Sequence, residues 1–348
     1  VTAASGVAET LGGVTGQQRA RVLSGIQPTG RGAHLGNYLG AVRQWIALQD
    51  SYDAFYFLPD MHAITVPQDP AELRRRTLET AAELMAAGLD PARCTLFVQS
   101  QVPQHAALAW VMNCLTGFGE ARRMTQFKDK SGRDDLGSAS VGLFTYPMLQ
   151  AADILLYQAD HVPVGADQRQ HLELTRTLAQ RFNTRFGHTF TVPTPYVVSS
   201  TERIADLADP TRKMSKSLPP AGTLDLLDPP EAIRKKIRSA VTDTGREVRA
   251  GADKPGVTNL LTIAAAVSDS TVEDWETRFE GAGYGDFKAA VAEAVAARLA
   301  PIRERYTELM EDPAPVLDAL AAGAARATAV AETTMADVRE RVGWLAGK

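Results

Sequence analysis

The chain has 348 residues, 45% of them hydrophobic and 22% charged, with a formal net charge of -4. That length supports two domains with real cores, and the composition is that of an ordinary globular protein rather than a disordered or fibrous one. A net negative chain excludes binding of a polyanion through bulk charge, so any nucleic acid must meet local basic patches.

Cys94 and Cys114, the two cysteines, have neither metal-ligand nor redox-pair spacing. They read as reduced thiols in a cytoplasmic protein. No stretch is long and apolar enough to span a membrane. Residues 1–20 are small and polar, lack the basic start and apolar run of a secretion signal, and read as a disordered tail.

From Arg21 an apolar strand runs to Gln27 and ends in the turn Pro28-Thr29-Gly30-Arg31-Gly32-Ala33. His34-Leu35-Gly36-Asn37 follows and opens a helical pattern, with Leu35, Leu39, Val42 and Ile46 at three- and four-residue steps. A helix start after a glycine-rich turn presents unpaired N–H groups to a phosphate. Gly36 allows close approach of a nucleotide, and His34 and Asn37 can donate to phosphate oxygens. Taken alone such a turn is common, and a satisfied polar histidine is the plain alternative.

Ala54–Leu58 reads as a buried strand, followed by a polar cluster that contains His62. Asp69 caps a helix from Pro70 to Ala87, whose Arg74-Arg75-Arg76 run reads as a solvated face. Thr95–Gln99 is a further strand and Ala106–Leu115 a helix. Alternating strands and helices predict an α/β fold with a parallel sheet covered on both faces. Ligands of such sheets lie beyond the strands' carboxyl ends.

Residues 122–130 form a basic cluster that includes Lys130. A helix beginning at Pro147 places Asp153 on an apolar stripe, where a carboxylate needs a partner. It is either a paired structural group or an acceptor for a ligand N–H or O–H. Val162-Pro163-Val164 is a short strand, Gly165-Ala166-Asp167 a turn, and Gln168–Phe182 a helix on which His171 stands one turn in. After a strand at Tyr196–Ser199, Ile204–Pro210 leads into Lys213-Met214-Ser215-Lys216-Ser217. Prolines fence this loop on both sides, and its two ammonium groups and two hydroxyls suit an anion. Beyond residue 220 only helices are expected. Asp228 is expected to cap one from Glu231 to Val241, with Ile233, Ile237 and Val241 on one face. Others are expected at 258–267, 271–280, 287–310, 313–322 and 327–342.

The ordered strings SGIQPTG, HLGNYLGA, HAIT, MTQFK, AADILLY, VPVGADQ, HLELTR and KMSKS resemble the class I aminoacyl-tRNA synthetases, and within them the bacterial tryptophan–tRNA ligases. The resemblance implies a Rossmann-like catalytic domain over 21–220 with a helical insertion, an all-helical anticodon-binding domain over 221–348, and a homodimer. It implies attack of the tryptophan carboxylate on the α-phosphate of ATP, then transfer of the tryptophanyl group to the terminal adenosine of tRNA. Mg²⁺ is implied as an ion carried by ATP.

By the same resemblance, Gln27, Pro28, Thr29, His34, Gly36 and Asn37 face ATP. Gly165, Ala166 and Asp167 hold the adenosine, with Ile204 nearby. Lys213 and Lys216, with Ser215 and Ser217, stabilise the departing pyrophosphate, Met214 lies against the adenine, and Lys130 is a further phosphate ligand. Asp153 accepts the indole N–H, Tyr146 and Gln168 hold the ammonium group, and His62, Val162 and Val164 line the pocket. Gln150 stands where many relatives carry methionine and Leu23 where some carry an aromatic, and both bear on pocket shape. The tyrosine enzyme is the nearest alternative, since a phenol O–H also satisfies Asp153.

Overall fold

Branched and aromatic residues between turns form the strands. Arg21–Gly25 (β1), Asp53–Leu58 (β2), Thr95–Val98 (β3), His161–Pro163 (β4) and Thr194–Tyr196 (β5) make one parallel sheet in the order β3-β2-β1-β4-β5. The structure is a computed structural model that describes residues 19–30, 32–124, 140–163, 168–196, 204–215 and 218–345. Successive strand residues point to opposite faces. Val22, Tyr56, Leu58, Leu96 and Val98 join one buried cluster, whereas Leu23, Phe55, Phe57 and Phe97 join the other. The sheet is therefore buried on both sides, as the alternation of strands and helices predicts.

β1 leads to α1 (Leu35–Asn37), a π-helical turn at Tyr38–Val42, and α2 (Arg43–Leu48). After β2 come α3 (Asp60–Ala63) and α4 (Pro70–Ala86). Asp69 caps α4 by accepting from the Glu72 N–H, and Pro70 opens it. Arg75 and Arg76 pair with Glu72 and Glu79 on the solvent side of α4. Then follow α5 (Gln104–Leu115), α6 (Phe118–Arg122), α7 (Val141–Leu156) and α8 (Arg169–Phe186). Beyond residue 220 the described elements are all helical: a 3₁₀ turn at Pro220–Gly222, then α9 (Pro230–Arg238), α10 (Pro255–Ser268), α11 (Val272–Arg278), α12 (Tyr284–Glu311) and α13 (Ala314–Val342).

Several expectations need correction. α7 starts at Val141, capped by Ser140, so Pro147 lies inside it rather than at its start. Asp228 does not cap α9: its Oδ2 accepts instead from the Asp225 N–H at 2.9 Å and Lys236 Nζ at 2.6 Å. α9 ends at Arg238, which leaves Val241 outside the helix and 47% exposed. The two helices expected at 313–322 and 327–342 are one, because Gly323 continues the helix instead of ending it. Gly323 has a packing role, since α13 lies directly on β3. A Cβ there would stand 1.8 Å from the Leu96 carbonyl oxygen. Arg326 fixes the same crossing by donating from Nη2 to the carbonyls of Pro91 (3.0 Å) and Cys94 (3.1 Å).

Candidate functional site

A cavity of about 340 Å³ opens at the carboxyl end of the sheet. That volume suits a small ligand. Its walls come from the ends of β1 (Leu23 to Gly25), β2 (Phe57, Pro59) and β4 (Val162, Pro163). Strand order runs outward in both directions from the β1–β4 pair, so the cavity sits at the switch point where doubly wound sheets bind ligands.

α7 supplies one wall. Tyr146, Gln150, Asp153 and Ile154 fall at steps of four, three and one, and all four line the cavity with His62, Gln27 and Gln168. Tyr146 is buried, its hydroxyl 2.9 Å from His171 Nε2, and burial pushes it up to about 12. His171 thus stands behind Tyr146 and does not line the cavity. The Gln150 amide donates to Gln168 Oε1 at 3.3 Å.

Asp153 is 1% exposed. It has three protein side-chain partners, which the apolar stripe alone did not reveal. Oδ1 accepts from Gln99 Nε2 (2.7 Å) and lies 2.6 Å from His105 Nδ1, while Oδ2 lies 2.7 Å from His62 Nε2. Burial pushes this carboxyl up, but the His62 ring and the hydrogen bonds from His105 and His62 outweigh it and hold it at about 2. Because the folded value lies below the ordinary 3.8, the stability this group contributes is complete above about pH 4 and is lost as pH falls toward 2. Urea midpoints measured across that range should fall more steeply for the wild type than for Asp153→Asn.

Gln99, His105 and Tyr157 are the residues the sequence reading missed. Gln99 carried a signal, since it follows β3 immediately at the sheet's carboxyl edge. His105 and Tyr157 carried none, lying among apolar neighbours on α5 and just after α7.

The turn expected to face ATP stands beside this cavity. Gln27 lines it, and Pro28 and Thr29 follow in the chain. Ala33 and Leu35 are bound to the segment after the lysine loop: Leu35 N–H donates to the Leu224 carbonyl (2.7 Å) and Leu226 N–H to the Ala33 carbonyl (2.9 Å). Buried Glu83 accepts from the Ala33 N–H at 2.7 Å. His34 is buried and its Nδ1 accepts from the Asn37 N–H, while Asn37 Oδ1 accepts from the His34 N–H. His34, expected to donate to a phosphate, thus uses its Nδ1 to cap the helix start. A Cβ at Gly36 would stand 3.0 Å from His34 Nδ1 and 3.7 Å from Ile204 Cβ, which places Ile204 on the HLGN turn.

Ile204 in turn accepts from the Met214 N–H at 3.0 Å, and Ala205 bridges Lys213. The two motifs, remote in sequence, meet here. Lys213 is exposed and Ser215 half-buried. Met214, expected against the adenine, is 1% exposed and packs in the same core as Leu35, Ile204 and Leu224. It anchors the loop and is not presented to a ligand in this conformation. Val164, Gly165, Ala166, Asp167, Lys130, Lys216 and Ser217 lie outside the described residues.

α10 holds the same segment from the helical side. Asn259 Oδ1 accepts from the Ala205 N–H (2.8 Å) and its Nδ2 donates to the Ala205 carbonyl (3.0 Å). Asn259→Ala should leave both buried backbone groups unpaired and cost about 1–3 kcal/mol, a loss that urea unfolding measures.

Cavity and turn together define a doubly wound α/β enzyme whose ligand crevice adjoins a candidate nucleotide turn. The chain belongs to the family described as tRNA synthetases class I (W and Y), which matches residues 15–300. It is 60% identical over 332 residues to "Tryptophan--tRNA ligase 2" of Streptomyces avermitilis, covering 95% of this chain and 98% of that protein. It is 56% identical over 337 residues to "Tryptophan--tRNA ligase" of Corynebacterium glutamicum, covering 96% and 98%. Among solved structures it resembles tryptophanyl-tRNA synthetase of Campylobacter jejuni complexed with ADP and tryptophan, with TM-score 0.82, 35% identity, and 93% and 99% coverage.

Proposed function

We propose that this enzyme uses ATP to activate L-tryptophan as tryptophanyl-adenylate and transfers the tryptophanyl group to the 3′-terminal adenosine of its cognate tRNA in the cytoplasm. The observation that carries the reading is the placement of Asp153 and His62 in one cavity with Gln27, next to a turn that packs on the Ile204–Lys213 segment. In this reading the indole lies between Leu23, Val162 and Gln150, its N–H directed at Asp153. Tyr146 and Gln168 receive the ammonium group, and the carboxylate faces the Gln27 turn. Neither step needs a protein nucleophile. The residues position the carboxylate for in-line attack and stabilise charge that develops on the phosphates.

Lys213, with Lys216, takes the charge on the leaving pyrophosphate, and Asn37 the neighbouring phosphate oxygens. Mg²⁺ would enter with ATP and would neutralise charge on its phosphates. Among the described residues no three His, Cys, Asp or Glu side chains converge on a metal position. Helices after residue 220 are the part assigned to the tRNA anticodon. A homodimer is proposed on the family resemblance; Ile64, Trp110, Phe118 and Val141 are 63–76% exposed, and exposed large apolar side chains are available to a partner.

Aminoacylation of total tRNA with each of the twenty amino acids is the test. Tryptophan alone should be attached, with tyrosine inactive. Charging by tyrosine instead, or by none, defeats the proposal. Sedimentation equilibrium on the same preparation should give twice the chain mass.

A further inference from the structure

Asp153 is wired from behind by a chain of buried groups. Tyr157 is 0% exposed, with its hydroxyl 2.8 Å from His105 Nε2. His105 is also 0% exposed, and its Nδ1 is 2.6 Å from Asp153 Oδ1. An ionised carboxylate only accepts, so His105 Nδ1 must carry a hydrogen. In the neutral ring Nε2 is then an acceptor, and the Tyr157 O–H must donate to it. Gln99 is fixed by the same logic. Its Oε1 accepts from the Met61 N–H at 3.2 Å, which turns its Nε2 toward Asp153. Oδ1 thus receives two hydrogen bonds and is saturated. Oδ2 receives one, from His62, and keeps acceptor capacity. His62 lines the cavity, whereas Gln99, His105 and Tyr157 do not.

We infer that His105 and Tyr157 are specificity-positioning residues. Tyr157 orients the His105 ring, His105 with Gln99 saturates Oδ1, and Oδ2 of Asp153 is thereby presented to the cavity as a pure acceptor that takes a ring N–H. This rests on the tryptophan reading above. A site so wired recognises a donor on the ligand's ring and gives nothing to a ligand of equal shape without one. His62 shares Oδ2 with the ligand and marks the side from which the ring enters. Without the Tyr157 hydroxyl the carboxylate still holds the hydrogen on Nδ1, but His105 Nε2 is left a buried acceptor with no donor, and the ring loses the contact that fixes its position against Oδ1.

The experiment compares L-tryptophan with 3-(benzothiophen-3-yl)-L-alanine, in which sulfur replaces the N–H. ATP–pyrophosphate exchange is measured for wild type, Tyr157→Phe, His105→Asn and His105→Leu, with thermal unfolding recorded for each. For Tyr157→Phe the tryptophan KM should rise about 10-fold, the loss of roughly one hydrogen-bond contribution, with kcat and the analogue's KM little changed. His105→Asn retains a donor near the Nδ1 position and should keep more of the preference for tryptophan than His105→Leu. Equal losses for tryptophan and the analogue in Tyr157→Phe would mean a merely structural role and overturn the inference. So would an unchanged preference in both His105 variants that remain folded. A wild type with no tryptophan-dependent exchange is a different failure, one of the reaction itself.

Discussion

Asp153→Ala should lower kcat/KM for tryptophan by roughly 10²–10³-fold, the effect of truncating one member of a buried, hydrogen-bonded charge pair. It should also destabilise the fold by about 3–5 kcal/mol. Both effects have one origin. The carboxylate is the shared acceptor of Gln99, His105 and His62, and removing it leaves three donors in a buried space with nothing to receive them. The ligand's ring N–H loses its acceptor at the same time. Discrimination against phenylalanine, which offers no such donor, should fall with it. Urea unfolding and exchange kinetics for both amino acids read these outcomes. Wild-type tryptophan kinetics in a folded variant would remove Asp153 from the recognition of the ring.

Gly323→Ala should cost about 3 kcal/mol, at the upper part of the range for forcing extra atoms into a packed interior. The added Cβ would meet Leu96 backbone atoms at 1.8 Å (O) and 2.7 Å (C). Strand backbone cannot turn aside as a flexible side chain can, so α13 must lift from β3. That movement would also disturb the Arg326 contacts with Pro91 and Cys94 and the buried residues Ala324, Ala327 and Ala331. Substitution at Gly40, where a Cβ meets nothing within 4 Å, is the matched control. Equal urea midpoints for the two variants would contradict the close crossing.

What the sequence disclosed follows from the range of each interaction. Strands such as Asp53–Leu58 and Thr95–Val98 were legible because apolar runs between turns report burial locally. Asp69 and Pro70 were legible because a cap is satisfied within four residues. Asp153 drew attention because a carboxylate on an apolar stripe is costly, but its three donors lie 48 to 91 residues away, and spacing does not encode such pairings. Asn259 was invisible for the same reason. The single helix Ala314–Val342 reads as two, at 313–322 and 327–342, because a glycine in an alanine-rich stretch has the same appearance whether it ends a helix or lets one approach a strand. His34 and Met214 were found as motif members, yet their side chains also serve the fold. One caps a helix, and the other fills the core beneath the loop.

The meeting of the HLGN turn and the Ile204–Lys213 segment beside a single cavity is the claim on which the functional reading depends. A crystal structure with L-tryptophan and a non-hydrolysable ATP analogue tests it most directly. The indole nitrogen should lie within hydrogen-bond distance of Asp153 Oδ2, the carboxylate should face the α-phosphate near Gln27, and the triphosphate should run between Asn37 and Lys213. An indole outside this cavity, or a triphosphate remote from either motif, would contradict the account.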